Sequence, residues 1–247
     1  MDCRLKEIKF LNDRYFLMIL KMPEKVDNCT PGQFVQIRVD GSSNTFLRRP
    51  ISICQVCGDE LWLLIQKVGD GSKQLSTSIP GDLINVIFPL GKGFTIPDSI
   101  KKVLLIGGGV GIAPMLMLGN ILKSNGFSVN FLLGVRTKTD FVLIDEFEKY
   151  GKVHLTTEDG SFGEKGFVTN HSILASDWDM IYTCGPKPMM QAVASYAVSK
   201  SIECEVSLEN LMACGIGACL CCVEDTIDGH VCTCTEGPVF NLKQLKW

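Results

Sequence analysis

Six of the chain's twelve cysteines fall inside residues 214–234, CGIGACLCCVEDTIDGHVCTC. Cys214, Cys219 and Cys222 read C-x4-C-x2-C, and Cys234 follows after a short return segment. Three thiolates from one tight loop and a fourth from a nearby strand can hold a [2Fe–2S] cluster, for which this spacing is a known ligand order. Ala213, Gly215, Gly217 and Ala218 lie around and between the first two cysteines. Small residues let a loop curl closely around sulfur and aim its N–H groups inward. Structural zinc on Cys219, Cys222, Cys232 and Cys234 is the competing use of the same thiolates, and disulfides or idle buried thiols are another. Cys222 keeps the x2 spacing that Cys221 breaks. Spacing alone leaves both Cys232 and Cys234 open as the fourth ligand.

The N-terminus, MDCRLKEIKF, alternates in polarity and has no apolar core of an export signal. No apolar stretch reaches membrane-spanning length. A cysteine-rich chain of this kind is expected in a reducing, cytoplasmic setting, where clustered thiols serve metals or redox chemistry. The net charge of −3 and the lack of long charge runs give no reason to expect nucleic acid, and no membrane association is expected. Cys3, Cys29, Cys54, Cys57 and Cys204 are scattered and read as small apolar residues.

Up to residue 97 the chain predicts strands over 4–10, 15–21, 34–39, 51–56, 61–68 and 83–88, separated by glycine and proline breakers, with one helix over 72–78. Regular short strands predict a small antiparallel barrel. From residue 98 the pattern changes. Strands over 103–106, 128–135, 152–157, 180–183 and 203–207 alternate with helices over 112–123, 143–150 and 187–200, which predicts a parallel sheet covered on both faces. Residues 209–247 follow as a small appendage. The expected architecture is thus a multidomain α+β chain divided at 1–97, 98–208 and 209–247.

Residues 101–114, KKVLLIGGGVGIAP, run an apolar strand into Gly107, Gly108, Gly109 and Gly111 and then a helix. This sets a helix N-terminus at the carboxyl edge of the sheet, where anionic ligands bind. It departs from G-x-G-x-x-G, because Ile112 stands at the third glycine position, and a plain tight turn fits as well. Residues 180–190, MIYTCGPKPMM, bring Cys184, Gly185 and Pro186 to the same edge. In the barrel, residues 46–53 read FLRRPISI, and Gly71-Ser72 opens the helix. Arg49 with Gly71-Ser72 can bracket a pyrophosphate, while a solvated Arg48-Arg49 pair is the simpler alternative. His154, His171 and His230 have no partner pattern that suggests catalysis.

In order, the motifs are R-P-I-S, G-S, G-G-G-V-G-I-A-P, C-G-P and the cysteine loop. This order resembles the ferredoxin–NADP reductase superfamily. The segments SLENLMACGIGACLCC and CTEGPVF resemble the family of electron-transfer subunits of NAD-dependent (class 1B) dihydroorotate dehydrogenase. The resemblance implies an FAD-binding β-barrel, an NAD-binding α/β domain and a small [2Fe–2S] subdomain. It implies FAD contacts at Arg49, Pro50, Ile51, Ser52, Leu64, Ile65, Gln66, Gly71 and Ser72. It places the nicotinamide nucleotide at Gly107, Gly108, Gly109, Gly111, Cys184, Gly185 and Pro186. The cluster ligands it implies are Cys214, Cys219, Cys222 and the cysteine before x-x-G-P-V-F, which is Cys234. The expected activity is electron transfer between an FMN-containing catalytic partner, in a heterotetramer of two plus two, and NAD+. A flavin and iron–sulfur NAD(P)H reductase subunit of a hydrogenase, glutamate synthase-like or oxygenase system is the alternative. The second-strand acidic residue that would select NAD is missing, and Arg136 and Lys138 stand where a 2′-phosphate would be met.

Overall fold

The computed structural model describes residues 1–26, 28–99 and 102–247. Lys101, at the head of the glycine-turn motif, lies outside them. The first unit contains β1 (Asp2–Phe10), β2 (Tyr15–Lys21), β3 (Phe34–Ile37), β4 (Arg49–Cys57), β5 (Glu60–Gln66), the short helix α1 (Asp70–Leu75) and β6 (Leu83–Leu90). The six strands close into an antiparallel barrel in the order β1-β2-β5-β4-β3-β6. The second unit contains β7 (Lys102–Gly108), α2 (Ala113–Ser124), β8 (Ser128–Val135), α3 (Ile144–Glu148), β9 (Lys152–Thr157), β10 (Glu164–Lys165), β11 (Met180–Cys184), α4 (Lys187–Ser199) and β12 (Glu203–Ser207). The tail adds the hairpin β13 (Val223–Thr226) and β14 (Gly229–Cys232), and then β15 (Val239–Asn241).

The order of the large sheet is β10-β9-β8-β7-β11-β12-β15. Its strands are parallel except β15, which pairs antiparallel with β12. The chain leaves β7 towards β8 on one side and returns to β11 on the other. The switch in strand order therefore falls between β7 and β11, where open α/β sheets form their ligand crevice.

Burial explains why β2 reads as an unbroken apolar run, YFLMILK. Phe16, Met18 and Leu20 fill the barrel with Val35, Ile37, Ile53 and Leu63. The alternate residues Tyr15, Leu17 and Ile19 face the other way, into a core shared with Val103, Leu105, Met115 and Phe131. A strand buried on both faces loses the polar alternation of a half-exposed one. Each such aliphatic side chain contributes roughly 1.5–3 kcal/mol on burial, so the barrel and the sheet share one core. The sheet's far face packs Leu104, Ile106, Ile181 and Val206 against Met190, Val193 and Ala197 of α4. Among the described residues no helix is long and apolar enough to cross a membrane.

The appendage expected at residues 209–247 is stitched into the rest of the fold. Register pairs Glu205 with Asn241, Val206 with Phe240 and Ser207 with Val239, so the tail extends the large sheet. The strands β10, β13, β14 and β15 lie outside the expected set. They span two to four residues each, too few for a period to show.

Candidate functional site: two pairs of sulfurs, an arginine over a glycine, and a cleft at the switch point

The cysteine loop lies against the barrel. Phe34 of β3 packs with Cys222 and Cys234 in a small buried cluster, bordered by Leu90, Met212 and Cys232. Two residues along the same strand, Gln36 lies under Gly215. Residues two apart on a strand share a face, and the intervening Val35 points into the barrel. The outer face of β3 is therefore the floor beneath the cysteines.

The sulfurs come in pairs. Cys219 is close enough to act on the Cys214 thiol, and Cys222 on that of Cys234. Main-chain donors point at them: Ile216 N–H donates to Cys214 Sγ at 3.4 Å, and Gly217 N–H to Cys234 Sγ at 3.1 Å. Gly215 and Gly217 hold φ of +73° and +80°, a left-handed geometry that glycine adopts without strain. The N–H of Ile216 and the Cys219 group bring the Cys214 thiol down to about 6. Burial, followed by the Cys222 thiol, pushes Cys234 up to about 12. Four cysteine sulfurs in two pairs, with N–H groups aimed at sulfur, suit a [2Fe–2S] cluster, which four thiolates ligate. Among the described residues no three ligand-type side chains converge on one point to hold a single ion.

The neighbouring cysteines differ in setting. Cys222 is buried and Cys221 is exposed. Cys232 is half-buried and borders the cluster that holds Cys222 and Cys234. Cys234 is buried and alone of the two receives the Gly217 N–H.

On the barrel the two adjacent arginines part company. Arg48 Nη1 donates to the carbonyls of Gln36 and Asn85 at 3.1 and 3.2 Å, and its Nη2 to Asn85 Oδ1, so it ties β3 to β6. Arg49 instead lies across Gly71. A methyl group on Gly71 would sit 2.8 Å from Arg49 Nε. The guanidinium is held by the Leu47 carbonyl at 2.9 Å. Ser72 Oγ accepts from the N–H groups of Val68 and Gly69 at 2.9 and 3.2 Å, so this hydroxyl shapes its own turn. Pro50, Ile51 and Ser52 remain half-exposed on β4. Leu64 and Ile65 are buried, in the shared core and the barrel core respectively, so only their main chain is free to meet a ligand. Gln66 reaches the cleft between barrel and sheet.

That cleft encloses about 520 Å³ and is lined by Tyr15, Gln66, Gly108, Gly109, Arg136, Pro186, Met189 and Glu209, among others. It opens at the switch point, and its two turns touch. A methyl group on Gly111 would lie 2.5 Å from the Cys184 carbonyl oxygen and 2.6 Å from Gly185 Cα. Gly107 likewise faces Ile112 at 2.9 Å. Gly111 thus lets the two β–α turns pack together and Gly107 lets its own turn close, while Gly108, Gly109 and Pro186 line the space between them.

Cys184 is buried behind these turns, and its thiol donates to Glu209 Oε1 at 4.0 Å. Burial raises the Cys184 thiol well above its ordinary value and raises the Glu209 carboxyl too. Tyr15 and Glu209 escaped the sequence reading. Tyr15 stood inside an apolar strand, and Glu209 inside the segment SLENLMACGIGACLCC without a spacing of its own. Arg14 sits beside Tyr15 and pairs with Asp140 at 2.9 Å, bridging barrel and sheet.

Comparisons with known proteins converge on this arrangement. Residues 209–246 match the iron–sulfur cluster binding domain of dihydroorotate dehydrogenase B, and residues 105–195 match the oxidoreductase NAD-binding domain. The chain is 41% identical over 243 residues to the dihydroorotate dehydrogenase B (NAD(+)) electron transfer subunit of Listeria monocytogenes, covering 95% of this chain and 94% of that one. It is 36% identical over 239 residues to the subunit of the same name from Clostridium perfringens, covering 96% and 94%. Among solved structures it is similar to the NADH-dependent reduced ferredoxin-NADP oxidoreductase, with a TM-score of 0.89 and 28% identity over 99% of this chain and 90% of that chain. The cytochrome b5 reductase domain of Ulva prolifera nitrate reductase shares the fold, with a TM-score of 0.68 at 20% identity, over 82% of this chain and 93% of that one. Relatedness of this extent, over nearly the whole chain, means that the protein belongs to the electron transfer subunits of NAD-dependent dihydroorotate dehydrogenase B.

Proposed function

We propose that this chain carries electrons released by dihydroorotate oxidation in an FMN-containing partner subunit to NAD+, as one subunit of a two-plus-two heterotetramer in the cytoplasm. When bound, the [2Fe–2S] cluster exchanges electrons singly, the nicotinamide exchanges a hydride, and FAD joins the two by doing both.

One observation carries the reading. β3 pairs with β4 so that Phe34 faces Ser52 and Gln36 faces Pro50. Directly paired residues project to the same side of a sheet, and neighbouring strands lie about 4.8 Å apart. The floor of the cysteine loop and the R-P-I-S segment are therefore adjacent stripes of one barrel face. A flavin on β4 and a cluster over β3 would be near neighbours, as single-electron exchange requires.

The chain's own groups divide the remaining work. Cys214, Cys219, Cys222 and Cys234 would hold the cluster, and the Ile216 and Gly217 N–H groups support its sulfurs. Arg49 would meet the flavin pyrophosphate over Gly71, with Pro50, Ile51, Ser52, Leu64, Ile65, Gln66 and Ser72 around the rest. Gly107, Gly108, Gly109, Gly111, Cys184, Gly185 and Pro186 would shape the nucleotide cleft. NAD is the nucleotide assigned, in keeping with the relatives' name. The working divisions are 1–97, 98–208 and 209–247. Leu211, Ile216 and Leu220, exposed apolar residues in or beside the cysteine loop, suit contact with a partner.

Reconstitution with the FMN subunit tests the reading. Cys222→Ser is expected to abolish iron binding and dihydroorotate-dependent NAD+ reduction, whereas Cys221→Ser keeps both. A Cys222→Ser complex free of iron that still reduced NAD+ at the wild-type rate would sink it.

A further inference from the structure

Gln36 is the one residue of the described chain whose side-chain amide is buried with no partner at either end. The residue is 0% exposed, and neither Nε2 nor Oε1 meets a hydrogen-bonding atom of the protein. It interrupts the strand sequence F-V-Q-I, in which its neighbours Val35 and Ile37 belong to the barrel core. Leaving a buried polar group unpaired costs roughly 1–3 kcal/mol, so an amide kept there needs a partner from outside the chain.

The geometry limits what that partner is. A methyl group on Gly215 would lie 2.7 Å from Gln36 Nε2 and 2.6 Å from its Cγ. The amide is therefore pressed against the first glycine after Cys214, on the face where Phe34 meets Cys222 and Cys234. The cysteine sulfurs themselves leave the amide unsatisfied, since it has no partner among them. A sulfur atom that the chain does not supply, the inorganic sulfide of a cluster, is the acceptor that this position offers.

We propose that Gln36 is a positioning residue of the iron–sulfur site, donating its amide N–H to cluster sulfide and thereby setting the reduction potential. The inference rests on the functional reading above. Hydrogen bonds to the sulfurs are one of the protein's means of tuning cluster potential, because they stabilise the more negative, reduced state. Removing one donor makes the cluster harder to reduce.

The test is a redox titration of the assembled, cluster- and flavin-loaded complex, followed by electron paramagnetic resonance. Gln36→Met keeps the side chain's length and removes its N–H. It is expected to lower the cluster's reduction equilibrium constant about tenfold, which is about 59 mV for a one-electron couple, with iron, sulfide and FAD contents unchanged. Gln36→Glu replaces the donor with an acceptor and is expected to shift the potential further in the same direction. It serves as the second measurement should the methionine variant fold poorly. Loaded variants whose cluster potential matches wild type, or whose shift falls on the flavin alone, overturn the inference. Wild-type protein free of iron and acid-labile sulfide would overturn the functional reading as well.

Discussion

The contact between the two β–α turns yields a paired prediction. At Gly111 an added methyl group would meet the Cys184 carbonyl oxygen at 2.5 Å, its carbonyl carbon at 2.6 Å and Gly185 Cα at 2.6 Å. All three are backbone atoms of the opposite turn and cannot rotate away. At Gly108 the nearest atom is Met189 Sδ at 2.4 Å, with Pro186 Cδ next at 3.2 Å. The methionine side chain is flexible and can swing aside. Restoring ordinary contact at Gly111 requires the turns to part by roughly 0.9 Å, the kind of overpacking that typically costs about 1–3 kcal/mol. For a chain of this length that is a fall in melting temperature of roughly 2–12 °C. Gly111→Ala should therefore melt earlier and bind NADH at least tenfold more weakly. Gly108→Ala should melt within about 2 °C of wild type and lose affinity only through the displaced Met189. Calorimetry of the flavin-loaded protein and NADH titration read both quantities. Equal melting temperatures for the two variants would refute the argument that these turns are rigidly packed.

Arg49→Ala is expected to weaken FAD retention, read as flavin per protein after gel filtration, with the fold intact. Arg48→Ala should instead destabilise the barrel by roughly 1–3 kcal/mol, because Asn85 and the Gln36 carbonyl lose their donor; the reverse pattern would reassign the pair. His154 and His171 stack edge to face at 5.8 Å, and burial lowers both below their ordinary 6.5. The unfolded chain thus takes up their protons first as pH falls. Their contribution to stability is level above about 6.5 and is lost as pH drops through the lowered folded values. The melting temperature should fall more shallowly between pH 7 and 5 in His171→Gln than in wild type, and parallel profiles would count against it.

Much of the fold was legible because the barrel and sheet strands carry their own punctuation. Tyr15–Lys21, Ser128–Val135, Lys152–Thr157 and Glu203–Ser207 match their expected spans, and α2 and α4 differ by a residue or so at their ends. The tail was not legible in the same way. Val239–Asn241 has three residues, and its place is set by β12, more than thirty positions earlier. The sites show the same division. C-x4-C-x2-C announced sulfur chemistry and chose Cys222 over Cys221, yet spacing left Cys232 and Cys234 open, and these differ in burial and in the Gly217 N–H that only Cys234 receives. Arg48 and Arg49 are likewise told apart by what lies beneath them, Asn85 in one case and Gly71 in the other. Gln36 gave a faint signal, an amide in an apolar strand, but its meaning depends on a loop about 180 positions away.

The G-P-V-F segment shows how that distant loop is held in place. Lys92 N–H donates to the Gly237 carbonyl at 2.5 Å, and Leu208 N–H to the Pro238 carbonyl at 2.9 Å. Consecutive residues of the tail are thus bonded to the end of the barrel and to the end of β12. A methyl group on Gly91 would lie 2.6 Å from Pro238 Cδ, so the barrel's last turn is shaped to admit the proline. Val239 and Phe240 then enter the shared core and the far-face core respectively. Cys234 stands only three residues before Gly237. Its sulfur is therefore referenced to the barrel through Phe34 and to both domains through residues 237–240. Electron exchange between cofactors is steeply sensitive to their separation, and a loop anchored by cysteines alone would leave that separation free to vary. The segment that identifies the family in sequence is, in the fold, the clamp that fixes the distance between the cysteine site and the barrel strands β3 and β4.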